Sequence, residues 1–461
     1  MRKETDFLGE VELPDDAYYG VQTLRAMHNF PVSGIREPEE LIRGYVILKK
    51  CAAKANLEVG QLDRARADAI IWAADEVLGG KHLDQFPVDV FQAGAGTSVN
   101  MNVNEVLANV ALEHLGHRKG EYGFLHPNDH VNMAQSTNDT FTSACHIGLL
   151  LLLPRLFEAL DLLASEFDSK KIEFAEVIKS GRTHLVDALP ITLGDEFGAY
   201  ASAVARARDR IAQRRDDLLE LEIGGTAVGT GANTHPLYRE TVLRILSEEC
   251  ALPFRPARDA FEALETRAQL AALSSSLKEL SLELVRIAND MRLLASGPTT
   301  ALGEIALPAV QPGSSIMPGK VNPSMPECLT MICFQAIGND VAVGLGAQGG
   351  QLELNIWTPL MEYDVFSTIK MLANFLPIFT QRCVWGIKAN ESRASFHLIN
   401  NPILATFLAP RIGYARAAQV AEESERTGVP VPELVLKMGL ITEEEAREIF
   451  DPKEMARSHY R

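Results

Sequence analysis

The chain has 461 residues, of which 46% are hydrophobic and 23% are charged. This is the composition of an ordinary folded protein, and the length predicts roughly two to four structural units rather than one compact core. There are 44 Lys and Arg residues against 61 Asp and Glu residues, which gives a formal net charge of −17. Because like charges repel, this acidic excess argues against nucleic acid and anionic membranes as partners.

The cellular compartment is indicated by three features, which are the cysteines, the N-terminal stretch and the most apolar run. The six cysteines lie far apart without a C-x-x-C pair, so neither a zinc site nor a disulfide framework is expected. The opening MRKETDFLGEVELPDD has no apolar signal region. In the most apolar run, HIGLLLLLPRLFEALDLLASEF, Pro154, Arg155 and Glu158 intervene before a membrane-spanning length is reached. We therefore expect a cytoplasmic protein with reduced thiols and no membrane segment.

Residues 1–137 are predicted to form an N-terminal helical domain. This part of the chain contains frequent prolines and glycines between short helical patterns, and it includes the loop GAGTSVNMN at residues 94–102. Glycine and proline are the strongest local signals for turns, so the helices here should be short.

Residues 138–392 are predicted to form a central five-helix bundle domain. The helical patterns lie at about 138–172, 191–222, 260–295, 323–349 and 354–390. In the third pattern, apolar residues recur at alternating steps of three and four, as in a coiled-coil seam. These residues are Leu270, Leu273, Leu277, Leu280, Leu284, Ile287, Met291 and Leu294. The first and fourth patterns are apolar on more than one face, which is typical of helices at the centre of a larger assembly. The sequence therefore predicts a homo-oligomer.

Residues 393–461 are predicted to form a small C-terminal helical domain. Its last helical pattern opens with Thr442 and Glu445, which have the spacing of a capping box. Strand-like alternation is scarce along the whole chain, and we find no internal repeat. The predicted fold class is therefore mainly α.

Four short stretches concentrate glycine and small polar side chains, and each borders a helical pattern. They are GAGTSVNMN (94–102), QSTND (135–139), GRTH (181–184) and GSSIMPGKVN (313–322). Taken singly, Thr97, Ser136, Thr137 and Asn322 are most simply interpreted as helix caps, and Asn322 precedes a proline as an N-cap would. Helix N-termini also suit carboxylates, because they carry unpaired N–H groups and a positive dipole end. Together, the stretches predict an anion-binding pocket.

Isolated basic residues have ordinary interpretations. His184 alone would be a structural histidine and Lys320 alone a solvated cation. His126 and His130 stand at helical spacing, but Pro127 lies between them and no carboxylate partner pattern accompanies them. We therefore expect no metal site and no cofactor.

The stretch PGSSIMPGKVNPSMPE, residues 312–327, resembles the signature of the aspartase/fumarase superfamily almost letter for letter. The resemblance extends over nearly the whole chain, through DAYYGVQTLRA, GTSVNMNVNEVLAN, HPNDHVNMAQSTND, GRTHLVDALPITLGDEF, GGTAVGTGANT and GQLELN. It implies a three-domain fold and a homotetramer whose central domains build a twenty-helix bundle. It also implies active sites that are each shared among three subunits.

The resemblance further implies a reaction and a set of site residues. Members of the superfamily reversibly eliminate a group from a succinyl skeleton, usually giving fumarate, through a dianionic enediolate that needs preorganised positive charge. The family pattern places the base at Ser314. The residues holding the enediolate carboxylate would be Thr183, Lys320 and Asn322. Those holding the other carboxylate would be Thr97, Ser136, Thr137 and Ser315. Asn138 and His184 would face the leaving group, with Glu327 orienting His184.

The leaving group could be ammonia, water, arginine or a nucleotide-linked amine, and the motifs favour the first two. Ala95 stands where fumarases usually present a hydroxyl, and Thr137 and Gln351 also favour the aspartase branch. GGTAVGTG, ECLTMICFQAIGNDVAV and APRIGYARAAQVA are closer to fumarases, and Val186 departs from both branches. An ammonium substrate can leave as neutral ammonia, whereas hydroxide requires a general acid, a role that His184 with Glu327 could also fill.

We therefore expect a lyase that eliminates ammonia from L-aspartate to give fumarate. The alternatives are a class II fumarate hydratase and a non-catalytic structural homotetramer, since some relatives serve as lens structural proteins. The intact polar set argues against the structural role, because bulk alone gives no reason to keep Ser314, Lys320 and Asn322 on a glycine-flanked loop.

Overall fold

The structure is a computed structural model in which residues 1–457 are described. It is mainly helical. The helices are α1 (Val21–Asn29), α2 (Glu39–Glu58), α3 (Arg64–Leu78), α4 (Thr97–His114), α5 (Thr137–Glu173), α6 (Leu193–Arg215), α7 (Tyr238–Cys250), α8 (Ala260–Glu265), α9 (Ala268–Leu294), α10 (Ser324–Gln348), α11 (Thr358–Arg382), α12 (Glu391–Ile399), α13 (Ala409–Ile412), α14 (Tyr414–Thr427), α15 (Val431–Lys437), α16 (Glu443–Ile449) and α17 (Pro452–Met455). The predicted fold class is confirmed.

The strands form two-stranded sheets. They are β1 (Arg2–Asp6), β2 (Gly9–Leu13), β3 (Ile178–Thr183), β4 (Val186–Thr192), β5 (Glu220–Leu221), β6 (Arg255–Pro256), β7 (Ile305–Ala306) and β8 (Lys388–Ala389). The pairs β1–β2, β3–β4 and β7–β8 are antiparallel, and β5–β6 is parallel. The β3–β4 hairpin was not predicted: the GRTH stretch lies in a strand and its turn, not at the end of a helix.

The five long helical patterns correspond to α5, α6, α9, α10 and α11, because a sustained apolar period predicts long helices well. The apolar seam of α9 is confirmed, since every one of its eight predicted residues is between 0% and 6% exposed. The third pattern nevertheless breaks between α8 and α9. There the buried Arg267 guanidinium donates to the carbonyls of Ala263 and Thr266 and to the Thr358 hydroxyl. These bonds satisfy carbonyls that a continuing helix would otherwise have bonded.

Residue contacts divide the described chain into two compact units. Unit 1 comprises Met1–Phe157, Asp209–Ser281 and Phe334–Ala373. Unit 2 comprises Glu158–Arg208, Leu282–Cys333 and residues 374–457. The predicted division into domains at residues 1–137, 138–392 and 393–461 stays a prediction.

Helix α10 exposes apolar side chains along one face. Met331, Phe334, Val341 and Leu345 are 63%, 59%, 61% and 60% exposed, and their spacing of three, seven and four residues keeps them on one side of the helix. By length and composition α10 could also cross a membrane, since its most apolar window has a mean hydropathy of 1.5 with 39% of that window buried. Core helices of soluble proteins share these properties.

Two local predictions are confirmed. Thr442 accepts a hydrogen bond from the Glu445 N–H at 3.2 Å, and Glu445 accepts one from the Thr442 N–H at 2.9 Å, which completes the capping box of α16. All six cysteines are free thiols.

Candidate functional site

The serine loop, residues 313–322, folds back on itself ahead of α10. The Ser314 hydroxyl oxygen accepts hydrogen bonds from the N–H groups of Ile316 at 3.2 Å and Met317 at 2.9 Å. The Gly313 N–H donates to the Lys320 carbonyl at 2.8 Å, and a Cβ at Gly313 would collide with that carbonyl. A glycine thus lies where the two ends of the loop meet, and two backbone N–H groups donate to the serine oxygen.

Lys320 and Asn322 are joined within this loop. The Lys320 ammonium donates to Asn322 Oδ1 at 2.6 Å, and Asn322 Nδ2 donates to the Gly313 carbonyl at 2.6 Å. The prediction that Asn322 is an N-cap is wrong. Helix α10 begins at Ser324, and the amide of Asn322 closes the serine loop because Gly313 and Lys320 lie within its reach.

Thr183 and His184 lie at the exposed turn of the β3–β4 hairpin. Thr183 pairs with Val186, so His184 and Leu185 are the two turn residues, and both have left-handed backbones with φ of 56° and 61°. Two positive φ values are typical of a type I′ hairpin turn, which normally contains Asn or Gly. Non-glycine residues in this region are strained, and such strain is concentrated at functional sites.

The hairpin is anchored by a buried carboxylate in unit 2. Glu304, 1% exposed, accepts hydrogen bonds from both terminal nitrogens of Arg182 at 3.1 and 2.7 Å. Its carboxylate also lies 2.8 Å from His397 Nδ1 and 3.2 Å from Lys179 Nζ. Burial would raise the pKa of Glu304, but the Arg182 hydrogen bonds and the charge of Lys179 outweigh it and lower that pKa. Arg182 was not among the predicted site residues, although it lies in the GRTH stretch.

The QSTND turn, residues 135–139, opens α5. The Ser136 hydroxyl accepts a hydrogen bond from the Asn138 N–H at 3.2 Å, and the Ser136 N–H donates to Asp139 Oδ1 at 2.9 Å. Ser136 therefore does cap the helix, as the simpler interpretation held. Asn138 Nδ2 donates to the Ala227 carbonyl at 2.8 Å.

The Thr137 hydroxyl is hydrogen-bonded to a buried polar network. Asn100 Nδ2 donates to it at 2.9 Å, and the nearby Asn132 Oδ1 accepts from Lys49 Nζ at 2.8 Å. Burial lowers the pKa of Lys49 to about 7, opposed by the charge of Asp139. Sequence patterns gave no sign of this lysine, because a buried lysine in a helix looks like any other charged position.

Thr97 is the first residue of α4, and its side chain makes no capping bond. The preceding Gly96 has φ of 79°, and a Cβ there would overlap the Phe141 ring. The Val99 N–H in the first turn donates to Gln92 Oε1 at 2.9 Å, so Gln92 supplies the cap. The Thr97 hydroxyl is thus exposed and not needed for the helix itself.

The predicted site residues fall into two groups. Unit 1 contains Thr97, Ser136, Thr137 and Asn138; unit 2 contains Thr183, His184, Ser314, Ser315, Lys320, Asn322 and Glu327. Within residues 1–457, no hydrogen bond or ion pair joins His184 to Glu327, so that pairing stays a prediction. The same holds for the roles assigned to the other residues.

The histidines at 126 and 130 support a turn. His126 Nδ1 accepts hydrogen bonds from the N–H groups of Asn128 at 3.1 Å and Asp129 at 3.3 Å, and His130 Nδ1 accepts from the His126 N–H at 2.8 Å. In the described part of the chain, no group of three or more His, Cys, Asp or Glu side chains is arranged to hold a metal ion.

Comparison with known proteins places this site in a family. A family model described as Lyase matches residues 9–338, and a second, described as Fumarase C C-terminus, matches residues 404–457. The chain belongs to the aspartase/fumarase superfamily of lyases. The resemblance drawn from the serine loop and the other motifs is therefore confirmed, and the protein is an enzyme of the lyase class.

Individual members of the superfamily align end to end with the chain. An aspartate ammonia-lyase of Bacillus sp is 49% identical over 455 residues, which cover 99% of this chain and 97% of the relative. Fumarate lyase:delta crystallin from Brucella melitensis, solved bound to cobalt, is 44% identical with a TM-score of 0.96 and coverage of 99% and 100%. Recombinant class II fumarase from Schistosoma mansoni is 35% identical with a TM-score of 0.96, and 99% of each chain is covered. The predicted aspartase/fumarase-type fold is confirmed.

Proposed function

We propose that this chain is an aspartate ammonia-lyase, a carbon–nitrogen lyase that converts L-aspartate to fumarate and ammonia. The 49% identity to the Bacillus relative over nearly all of both chains supports the choice of substrate. The observation that carries the mechanism is the Ser314 hydroxyl oxygen, which accepts two backbone N–H groups of its own loop.

Ser314 acts as the base in its alkoxide form. A serine alkoxide is too basic to persist in water, so it needs donors aimed at its oxygen and a site from which water is excluded. The N–H groups of Ile316 and Met317 supply such donors, and their dipoles are fixed before the proton moves. The exposed loop around Ser314 acts as the lid that excludes water when it closes.

The reaction proceeds in two balanced steps. The Ser314 alkoxide takes the proton from the carbon next to one substrate carboxylate, and the electron pair of that C–H bond moves into the carboxylate as an enediolate. The pair then returns to form the C=C bond, and the C–N bond breaks. The electron pair of the C–N bond goes to the nitrogen, so the substrate ammonium keeps its three protons and leaves directly as neutral ammonia, which needs less acid assistance than hydroxide would.

The remaining polar residues bind the two substrate carboxylates and the ammonium. Thr183, Lys320 and Asn322 hold the enediolate carboxylate, where the positive charge of Lys320 offsets the second negative charge. Thr97, Ser136, Thr137 and Ser315 hold the other carboxylate. Asn138 and His184 face the ammonium, and Glu327 orients His184.

The functional unit is a homotetramer with sites built from three subunits. The exposed apolar face of α10 supports this, because an uncovered stripe of this kind marks an interaction surface. Within residues 1–457 no hydrogen bond or ion pair joins His184 to Glu327, which supports sites completed by other subunits. Each chain comprises the three predicted domains, and the enzyme works in the cytoplasm on a small dicarboxylate, without nucleic acid or a membrane.

A class II fumarase is the second candidate. The C-terminal match to the fumarase C model and the TM-score of 0.96 to the Schistosoma mansoni fumarase favour it. Since the two reactions share the base and the enediolate, they differ mainly in the leaving group, which is ammonia in one and water in the other.

Supplying the purified protein with L-aspartate and, separately, L-malate tests the assignment. Fumarate is followed by its ultraviolet absorbance. We expect fumarate from L-aspartate alone. Fumarate from L-malate alone would replace the proposed activity by that of a fumarase, and no fumarate from either would refute both.

Sedimentation of the Phe334→Asp variant tests the assembly. A carboxylate on the apolar face of α10 should disfavour burial of that face, so we expect smaller species than for the wild type at the same concentration. Tyr414→Asp is the control, because Tyr414 is 84% exposed on α14, away from α10 in the sequence. A wild-type protein that sediments as a monomer at micromolar concentration would refute the homotetramer.

A further inference from the structure

Near the start of α5, the carboxylate of Asp139 accepts hydrogen bonds from backbone N–H groups on both of its oxygens. Asp139 is 0% exposed. Its Oδ1 accepts the Ser136 N–H at 2.9 Å, and its Oδ2 accepts the N–H groups of Gly224 at 3.0 Å and Thr226 at 2.9 Å. The two oxygens therefore tie the QSTND turn to a second segment almost ninety residues later in the chain.

That second segment, residues 222–231, ends in the motif GGTAVGTG at residues 224–231 and is therefore named the GGTAVGTG loop; it has little regular structure of its own. Thr226 is a non-glycine residue with φ of 56°, and its buried hydroxyl has no hydrogen-bond partner within residues 1–457. Such a backbone persists only where its surroundings hold it in place. Besides Asp139, the Ser143 hydroxyl holds the loop, since it accepts the Ile223 N–H at 3.1 Å and donates to the Asp139 carbonyl at 2.6 Å.

The GGTAVGTG loop in turn orients a predicted substrate-binding amide. The carbonyl of Ala227, one residue after Thr226, accepts from Asn138 Nδ2 at 2.8 Å. A carbonyl can only accept, so the nitrogen of the amide must point to Ala227, and Oδ1 is the end left for a substrate. The position of the Ala227 carbonyl depends on the backbone that Asp139 holds.

We propose that Asp139 is a positioning residue that fixes Ser136, Thr137 and the Asn138 amide by clamping the QSTND turn to the GGTAVGTG loop. The proposal deepens the proposed function and rests on it. It assigns no proton transfer to Asp139, because both oxygens are occupied by N–H donors and the side chain is buried away from any substrate.

The clamp requires a carboxylate. Three N–H groups converge on two oxygens, and an amide at this position would present a donor where an acceptor is needed. The cost of burial raises the pKa of Asp139 to about 6, although the N–H donors and the charge of Lys49 favour the ionised form. The molecule thus maintains a buried charge here, and the three N–H hydrogen bonds offset part of the free-energy cost of burying it.

The test compares Asp139→Asn with a matched control elsewhere in unit 1. Glu105, 1% exposed, also accepts several donors, namely the N–H groups of Gly20, Gln22 and Thr23 and the Thr23 hydroxyl. Glu105→Gln therefore damages the same kind of buried carboxylate cluster, but at the N-terminal segment. Both variants should lower the melting temperature.

The two variants should differ in their kinetics on L-aspartate. We expect Asp139→Asn to raise KM and lower kcat, with a loss of about 100-fold in kcat/KM, because misplacement of binding groups by about 1 Å has effects of that size. Glu105→Gln should leave KM unchanged. A variant that only reduces the folded fraction lowers the apparent kcat and does not move KM.

Hydrogen exchange supplies a readout independent of activity. In Asp139→Asn, exchange should accelerate in residues 222–231 and 135–139, whereas Glu105→Gln should affect residues 20–23. If Asp139→Asn folds too poorly to assay, Ser143→Ala removes the acceptor of the Ile223 N–H together with the donor to the Asp139 carbonyl but keeps the Asp139 carboxylate, and it should give a smaller rise in KM and faster exchange in the same loop.

The failure of the proposal and the failure of the proposed function are distinguishable. A wild-type protein without activity on L-aspartate would remove the proposed function, while the exchange pattern would still report on the clamp. Wild-type KM and wild-type exchange in Asp139→Asn would overturn the clamp, and so would equal KM changes in Asp139→Asn and Glu105→Gln.

Discussion

The serine loop and the QSTND turn are both short polar segments at the start of a long helix, but they are held in different ways. In the serine loop, the side chains of Ser314 and Asn322 bond, among the described residues, only to their own loop, and Ile316 at its tip is 84% exposed. In the QSTND turn, Asp139 is fully buried and bonded to a distant segment.

The difference matches the tasks proposed for the two regions. A base that must be covered before it works suits a segment with few outside contacts, because such a segment can open at little cost in free energy. A carboxylate-binding turn works best when it is held in place before the substrate arrives. The comparison therefore predicts that removing side chains of the serine loop affects chemistry and substrate binding with little loss of stability, whereas substitutions around the QSTND turn and Thr97 also lower stability.

The largest effect is expected from Ser314→Ala. Removing a base should lower kcat by about 10³-fold, and the melting temperature should stay near that of the wild type because the hydroxyl serves only its own loop. Ser392→Ala, which removes an exposed hydroxyl bonded only to Asn390, is the control. Fumarate production by Ser314→Ala at the wild-type rate would rule out this serine as the base.

Two glycines with similar backbone conformations test the difference in rigidity between the segment before Thr97 and the serine loop. Gly96 and Gly319 have φ of 79° and 77°, but a Cβ at Gly96 would overlap the Phe141 ring, while one at Gly319 would meet nothing within 4 Å. Gly319→Ala should therefore lower the free energy of unfolding by about 1 kcal/mol from backbone strain alone. Gly96→Ala adds a steric clash and should lower it by about 3 kcal/mol or more. Urea denaturation measures both, and equal losses would contradict the contrast.

Lys320→Ala should chiefly weaken substrate binding. Loss of a charge-assisted hydrogen bond to a carboxylate is worth about 1.5 kcal/mol or more, so KM for L-aspartate should rise about tenfold. Lys437→Ala removes a surface lysine paired with Glu433 and should leave KM unchanged. Unchanged saturation behaviour in Lys320→Ala would remove this lysine from the carboxylate site.

A smaller effect on stability, which depends on pH, is expected from two buried carboxyl groups, one of which is hydrogen-bonded to the residue that caps α4. Gln92, which caps α4, also donates to the buried Glu37, and burial raises the pKa of Glu37 from 4.5 to about 7. Burial, the charge of Glu37 and a hydrogen bond with the Glu37 carboxyl also raise the pKa of the buried Glu362. A raised carboxyl pKa means that the folded state binds the proton more tightly. This contribution to stability is complete below about pH 4.5 and is lost as the pH rises through about 7.

Substitution of Glu362 by an amide should reduce this dependence of stability on pH. Glu362→Gln cannot ionise, so its free energy of unfolding should fall less between about pH 5 and 8 than that of the wild type, by about 1.4 kcal/mol for each pKa unit of the shift. Glu433→Gln, a surface substitution, is the control. Parallel stability profiles for Glu362→Gln and the wild type would contradict the raised pKa of Glu362.

The sequence predicted the long helices because their apolar residues recur over many turns. It predicted Ser314, Lys320 and Asn322 as a group because these residues stand together in a short signature. It missed the β3–β4 hairpin, since the turn contains His184 and Leu185 in place of the usual Asn or Gly. It also missed the break before α9, which depends on where the Arg267 guanidinium is buried.

Relations between distant segments could not be predicted from local patterns. Nothing in QSTND or in GGTAVGTG alone indicates that Asp139 bonds Gly224 and Thr226, because the two stretches meet only in the folded chain. The interpretation of Asn322 as a cap was wrong for a similar reason: its amide is used by a carbonyl nine residues earlier.

In the proposed homotetramer, the exposed stripe of α10 would link the stability of this protein to its concentration. Neighbouring protomers would cover Met331, Phe334, Val341 and Leu345, which are between 59% and 63% exposed in the single chain. Assembly would then remove folded protomers from the unfolding equilibrium by mass action. The melting temperature should rise as the protein is concentrated and fall on dilution, so that a single melting temperature describes this enzyme only together with the protomer concentration at which it was measured.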